Sequence, residues 1–430
     1  MPNFQLSCLA ACAALAAPLA HADDSAWMTG DWGGLRSAWL AQGVDVKLGY
    51  TGETSTLLRG GYHSNDRSTR YADQFNAGLD IDLQKLLGWH DAAFGLSLTN
   101  RNGANNLNEK ISAPGAAGMG STQEIQGRGS VTRLSGLWLS KGWQDDGLNL
   151  KLGRFAVSDD FGVEDCLFQG LAFCGSQPGN YVNSIYNGPI SQWAGRLRYR
   201  LSPQLYLQAG AFNVNPSNLD NDNGLKLNTH GTTGTFAPVE LVWSPTLDGL
   251  PGEYRVGYYH STAQARDVYK DDSGLAAATS GNAYRSDATR HGQWLVAKQQ
   301  LTSVHGDASR GLTLTASATF QDRNTTAIDS YQKLSLVYKG LFDARPTDTL
   351  GAGIARVHAS AVYLRNARAV NAAGGDLPEQ HSEYVAELNY GIQATRWLNI
   401  IPNLQYVKDP DGVRQVKNAL VLGLQVQSQF

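Results

Sequence analysis

At 430 residues and 42% hydrophobic, the chain could fill two or three soluble domains, but its 47 glycines, 18 tyrosines and 10 tryptophans beside only 3 methionines suggest another kind of protein. A formal charge of -3, with charged residues spread along the chain, provides neither a basic stripe for nucleic acid nor a polybasic cluster for an anionic membrane surface. Beyond the first 22 positions no apolar run approaches the roughly 20 residues that a spanning helix needs, so helical membrane crossing is excluded.

Residues 1–22 read as a signal peptide. An apolar stretch runs from Leu9 to Leu19, and Ala20 and Ala22 flank His21 as an A-x-A-like cleavage site, although no Lys or Arg precedes the apolar core. Leu9-Ala10-Ala11-Cys12 resembles a lipoprotein cleavage box, but an apolar stretch follows Cys12 where a polar mature sequence should begin. Residues 23–43 form an N-terminal segment. Within it Leu35 to Gln42 reads as a short helix, with Leu35, Ala38 and Trp39 on one face and Gly43 as its C-cap.

From Val44 to Phe430 the chain reads as one all-β domain. Val44, Val46, Leu48 and Tyr50 alternate with Asp45, Lys47, Gly49 and Thr51, the period-two pattern of a strand with one wet and one apolar face. Phe75, Ala77, Leu79, Ile81 and Leu83 repeat it, as do Leu312 to Phe320 and Tyr384 to Ile392. The segments are about 8 to 13 residues long, and a tilted strand needs about 9 to 11 to cross a bilayer. With ambiguous segments near 131–143 and 290–300 included, about 16 strands are expected, the even number that bacterial single-chain barrels require. Short connections near 85–91, 201–203, 244–252 and 395–396 alternate with long Gly-, Asn-, Asp- and Ser-rich ones at 102–128, 156–190, 214–235 and 263–289. That is the asymmetry of periplasmic turns and extracellular loops.

Cys8 and Cys12 leave with the signal peptide, and Cys166 and Cys174 remain as an even pair in an oxidising compartment, so a small local disulfide is expected; two free buried thiols are the alternative. In the segment after the second long loop, Trp193, Leu197, Tyr199 and Leu201 should face outward and Arg196, Arg198 and Arg200 inward. Three guanidiniums facing lipid at bilayer depth would each cost about 2–4 kcal/mol. The final segment alternates Leu420, Leu422, Leu424 and Val426 with Gly423, Gln425 and Gln427 and ends on Phe430, which resembles the terminal signal read by the barrel-assembly machinery. In a soluble sandwich that ending would be coincidence.

GDWGGLR at Gly30–Arg36, Gly153-Arg154 followed by Asp159-Asp160-Phe161, the Cys166–Cys174 segment with Phe168-Gln169 and Phe173, and the tail EYVAELNYG…IIPNLQYVKDPDG together resemble the OprB family of carbohydrate-selective porins. The resemblance covers Gly30 to Phe430. It implies a transmembrane antiparallel β-barrel of about sixteen strands in the bacterial outer membrane, embedded in lipid and lipopolysaccharide. It also implies passive diffusion of monosaccharides such as glucose, with no cofactor and no energy coupling.

A lumen site can be argued from the residues themselves. Asp159, Asp160, Glu164 and Asp165 in the 156–190 loop would stand opposite the Arg196, Arg198 and Arg200 ladder, giving a transverse field across a narrow hydrated passage. Sugar hydroxyls accept from Arg and donate to carboxylates, and a pyranose face can lie on an aromatic ring. Arg101, Phe161, Phe168, Tyr181 and Tyr186 are the further candidates, with ordinary loop packing as the plain reading of each aromatic. A membrane-embedded hydrolase would need a nucleophile pattern such as G-x-S-x-G, which the chain lacks, and His260, His291 and His358 read as lumen or interface residues. No paired-Cys or H-E-x-x-H spacing suggests a metal. An anion-selective channel should carry excess Lys and Arg, whereas Asp and Glu exceed them here, 38 to 35. A non-conducting surface barrel is the remaining rival.

Overall fold

The computed structural model describes residues 25–64, 67–103, 107–125, 127 and 129–430, so the signal-peptide reading, with Cys8 and Cys12, lies outside the described residues. Sixteen antiparallel strands close into a barrel. In chain order they are β1 (Val44–Gly61), β2 (Thr69–Asp82), β3 (Ala92–Asn102), β4 (Thr132–Trp143), β5 (Leu148–Phe155), β6 (Gln192–Ser202), β7 (Leu205–Val214) and β8 (Gly234–Trp243). They continue with β9 (Leu250–Ala265), β10 (Ala288–Gln300), β11 (Gly311–Gln321), β12 (Ile328–Lys339), β13 (Thr349–Ala359), β14 (Ser382–Gln393), β15 (Leu398–Lys408) and β16 (Lys417–Gln429). Each pairs with its sequence neighbours. β1 also pairs with β16, so the sheet closes on itself and no open edge remains in the bilayer. Both ambiguous segments are strands, β4 and β10. A two-residue ladder of Thr246–Leu247 with Leu250–Pro251 belongs to a turn and adds no wall strand.

Alternation decides which side chain meets lipid. Phe75, Leu98, Leu152, Leu197, Tyr199, Leu241, Leu295, Ile354, Leu388 and Leu422 are exposed on the outer wall. On the inner wall Glu53, Gln208, Glu240, Lys333, Glu387, Asn403, Gln405 and Gln425 are buried and polar. Trp89, Trp143 and Trp243 are exposed at the short-turn end and Tyr62, Tyr384 and Tyr406 toward the loop end, as two interfacial girdles require.

The N-terminal helix is present as α1 (Leu35–Ala41). Gly43 lies at φ 92, where an added Cβ would stand 2.8 Å from both the Asp82 carbonyl and the Lys85 side chain, so a glycine is needed to turn the helix into β1. Arg36 is the buried residue of α1. Its guanidinium lies 4.1 Å from the Trp27 ring centroid and donates to the Phe430 carbonyl and, at 2.6 Å, to the Val46 carbonyl. The GDWGGLR stretch thereby ties the N-terminal segment to the chain's last residue at the barrel seam.

Candidate functional site

Two long loops fold into the lumen instead of standing above it. The 156–191 segment crosses from the β5–β8 side to the β10–β14 side and is strapped at both. On the first side Asp160 meets Lys151 at 2.9 Å, Arg196 at 3.3 Å and Arg198 at 3.9 Å, and Gly162 N–H donates to Glu240 at 2.8 Å. On the second, Glu387 accepts from Gln169 N–H at 3.0 Å and Gly170 N–H at 2.8 Å, Lys333 pairs with Glu164, and Lys298 with Asp165. A carboxylate holding two backbone donors fixes a loop without any regular structure in it. The 107–125 segment then joins the first, with Glu124 N–H donating to the Gln169 carbonyl at 2.8 Å and Leu171 N–H to the Ser121 carbonyl at 2.9 Å.

Between these loops and the β1–β4 wall lies a cavity of about 790 Å³. Its upper part is lined by Arg101, Glu124, Trp138, Asp159, Asn180 and Asn187, and its periplasmic part by Arg36, Asp45, Lys47 and Asp80. Arg101 donates to Gln74 at 2.6 Å, and Glu124 lies in a loop whose neighbour Ile125 is held by Glu53. Burial pushes the Glu124 carboxyl above the ordinary carboxylate range, and the Arg101 charge opposes this. Trp138 lies flat over Gly95, where an added Cβ would stand 2.3 Å from the indole. Small residue and large ring are partners across β3 and β4.

Of the expected site residues, Arg101 and Asp159 line this cavity. Arg196, Arg198 and Arg200 turn inward, but none lines it: Arg196 and Arg198 face Asp160, and Arg200 reaches the Asp145 carbonyl at the periplasmic turn. The ladder therefore neutralises the base of the loop instead of standing across open water from it. Phe161, Tyr186 and Tyr181 are buried in two apolar clusters that glue the loop to the wall, so their plain packing reading describes their placement. Phe168 packs in the second cluster and, with Glu164 and Cys166, borders a separate recess of about 380 Å³ behind the loop. Trp138 and Glu124 were missed. The strand carrying Trp138 lacks clean alternation, and Glu124 sits in a polar loop whose inward path nothing local betrays.

Cys166 and Cys174 form the disulfide. The Glu124 carboxylate lies within 4.8 Å of both sulfurs, which places the bridge beside the cavity that Glu124 and Cys174 line. Closing a loop of sequence separation 8 removes about 2.5 kcal/mol of chain entropy in the simple model, all of it local. Alkylation of unreduced periplasmic protein should therefore find no free thiol at either position. Reduction should leave the barrel's slow and fast gel forms unchanged while broadening open-channel current noise; two free thiols would remove the bridge.

Asp159 opens to the cavity but is walled in by protein. Its pKa rises to about 6, chiefly through that enclosure and with help from Asp160, while Lys151 and the Ala156 N–H act against the shift. Its negative charge is then present above about pH 6 and lost below. Cation preference measured by reversal potential should fall as pH drops through that value, and Asp159→Asn should flatten the step.

Comparison with known proteins agrees with this architecture. Residues 66–430 match the family described as carbohydrate-selective porin, OprB family. Porin B of Pseudomonas aeruginosa is 48% identical over 438 residues, covering 99% of this chain and 96% of that one. A putative porin, QuiX, of Acinetobacter baylyi is 37% identical, covering 95% and 94%. The high-pH structure of Pseudomonas putida OprB superposes with a TM-score of 0.93 at 50% identity, covering 95% of this chain and 99% of that one. A barrel with an aromatic-girdled apolar outer wall and a polar, loop-narrowed lumen, matched along most of its length by these relatives, belongs to the OprB family of carbohydrate-selective porins of the bacterial outer membrane.

Proposed function

We propose that this porin passes monosaccharides such as glucose by diffusion down their gradient, and that solute moves through the Arg101–Glu124–Asp159 side of the lumen without chemical change. The observation that carries this reading is the 790 Å³ cavity, in whose upper part the Arg101 guanidinium, the Glu124 and Asp159 carboxylates, Asn180, Asn187 and the Trp138 indole share one space. A sugar hydroxyl finds a donor and an acceptor on opposite sides, and a ring face finds Trp138. Affinity stays weak because conduction requires release. Delivery to the membrane through recognition of the β16 end at Phe430 by the assembly machinery belongs to the same reading. Swelling of protein-loaded liposomes in isosmotic sugars tests it. Glucose-sized sugars should enter at least several times faster than trisaccharides, and equal rates for both would favour a general diffusion pore.

A further inference from the structure

The outer wall of the barrel holds a polar recess that the transport path does not use. It lies at the loop end of the β1–β16 seam, a cavity of about 480 Å³ lined by Arg59, Gly60, Ser64, Tyr406, Lys417 and Asn418. The register explains how cations come to stand there. Pairing slips twice between Leu57 and Gly61, so Leu57 packs inward opposite Val421 whereas Arg59 comes opposite Leu420, on the face shared with lipid-facing Leu422 and Leu424. Tyr406 is the other cross-strand partner of Leu420, and Asn418 Nδ2 donates to its hydroxyl at 2.8 Å. Lys408, two residues beyond Tyr406 on the same face, sits 5.4 Å from the Tyr384 ring centroid. Lys417 Nζ reaches Ser64 Oγ at 3.3 Å.

Arg59, Lys408 and Lys417 make no ion pair among the described residues. Three cations without a counter-charge among the described residues, Arg59 and Lys417 in the recess and Lys408 on its β15 flank, thus stand with a tyrosine hydroxyl where the hydrocarbon gives way to headgroups, above exposed Leu58, Leu404 and Leu422. A free phosphate ion would use the cations but leave the apolar ledge idle. A lipid uses both.

We propose that this recess binds the phosphorylated headgroup of an outer-leaflet glycolipid. Arg59, Lys408 and Lys417 hold the phosphate oxygens, Asn418 and Tyr406 meet the sugar backbone, and the acyl chains descend over Leu404 and Leu422. The site is independent of which solute the pore carries.

The test titrates purified, detergent-folded protein with bisphosphorylated lipid A and reads bound lipid by native mass spectrometry, with heat-modifiable migration confirming a folded barrel. Each of Arg59→Gln, Lys408→Gln and Lys417→Gln should weaken binding about fivefold, and the triple variant roughly a hundredfold. Dephosphorylated lipid A should bind the unaltered protein as weakly as lipid A binds the triple variant, and millimolar inorganic phosphate should not displace lipid A. Undiminished binding by the triple variant overturns the site. Should the triple variant fail to fold, undiminished binding by all three single variants does the same. Displacement by inorganic phosphate would make it a site for the free ion and end the lipid assignment.

Discussion

Replacing Asp160 with Ala is expected to unfasten the inserted loop while leaving the barrel closed. Asp160 is the shared counter-charge of Lys151, Arg196 and Arg198, and the Lys151, Arg196 and Asp160 side chains are each less than a tenth exposed. Removing the one anion strands two buried cations, and breaking a buried pair in this way costs about 3–5 kcal/mol. The sixteen-strand hydrogen-bond network does not depend on the loop, so circular dichroism and the boiled-versus-unboiled gel shift should persist. The loss should appear as larger single-channel conductance and as trisaccharide entry in liposome swelling. Arg196→Ala, which leaves Asp160 with Lys151, should give a smaller version of the same phenotype. Unchanged conductance and unchanged size exclusion in Asp160→Ala would mean that the far-side straps at Glu387 and Lys333 suffice, and the loop would not be held as described.

Arg101→Ala addresses the solute instead of the scaffold. Arg101 lines the cavity and is only partly buried, so its loss should leave folding yield nearly intact. Removing a positive charge from the cavity wall should shift reversal potentials toward cation selectivity. If Arg101 donates to sugar hydroxyls, the concentration of glucose that half-blocks the ion current should rise up to about tenfold, the worth of a charge-assisted hydrogen bond of about 1.5 kcal/mol. Glu124→Gln should move selectivity the opposite way. The triplet Arg101→Ala, Glu124→Gln and Arg200→Ala gives an internal control, because Arg200 lies at the periplasmic turn and should change neither sugar block nor conductance by much. A larger effect from Arg200 than from Arg101 would put the solute path on the wrong wall.

The sequence by itself determined the wall of this protein. Period-two alternation, strand length, the turn and loop asymmetry and the terminal aromatic are local signals. In a barrel each strand meets only its two neighbours, so local pattern and global position coincide. The inward register of Arg196, Arg198 and Arg200 was legible for the same reason, since lipid penalises the other choice heavily.

What fills the wall was decided only by the tertiary structure. Phe161, Phe168, Tyr181 and Tyr186 have the composition of solute contacts, yet each is buried against strands far away in sequence, because an inserted loop needs an apolar face to stay inserted. Glu124 and Trp138 reach the open cavity through the opposite logic, one on a loop that hydrogen-bonds to another loop and one on a strand that offers Gly95 as a seat. The inserted loop depends on contacts far away in sequence, 78 residues from Gly162 to Glu240 and 218 from Gln169 to Glu387, and no window of sequence carries them. Arg59 shows the limit even within the wall. A slip in pairing between Leu57 and Gly61 sets which face it takes, and strict alternation would have placed it on the other.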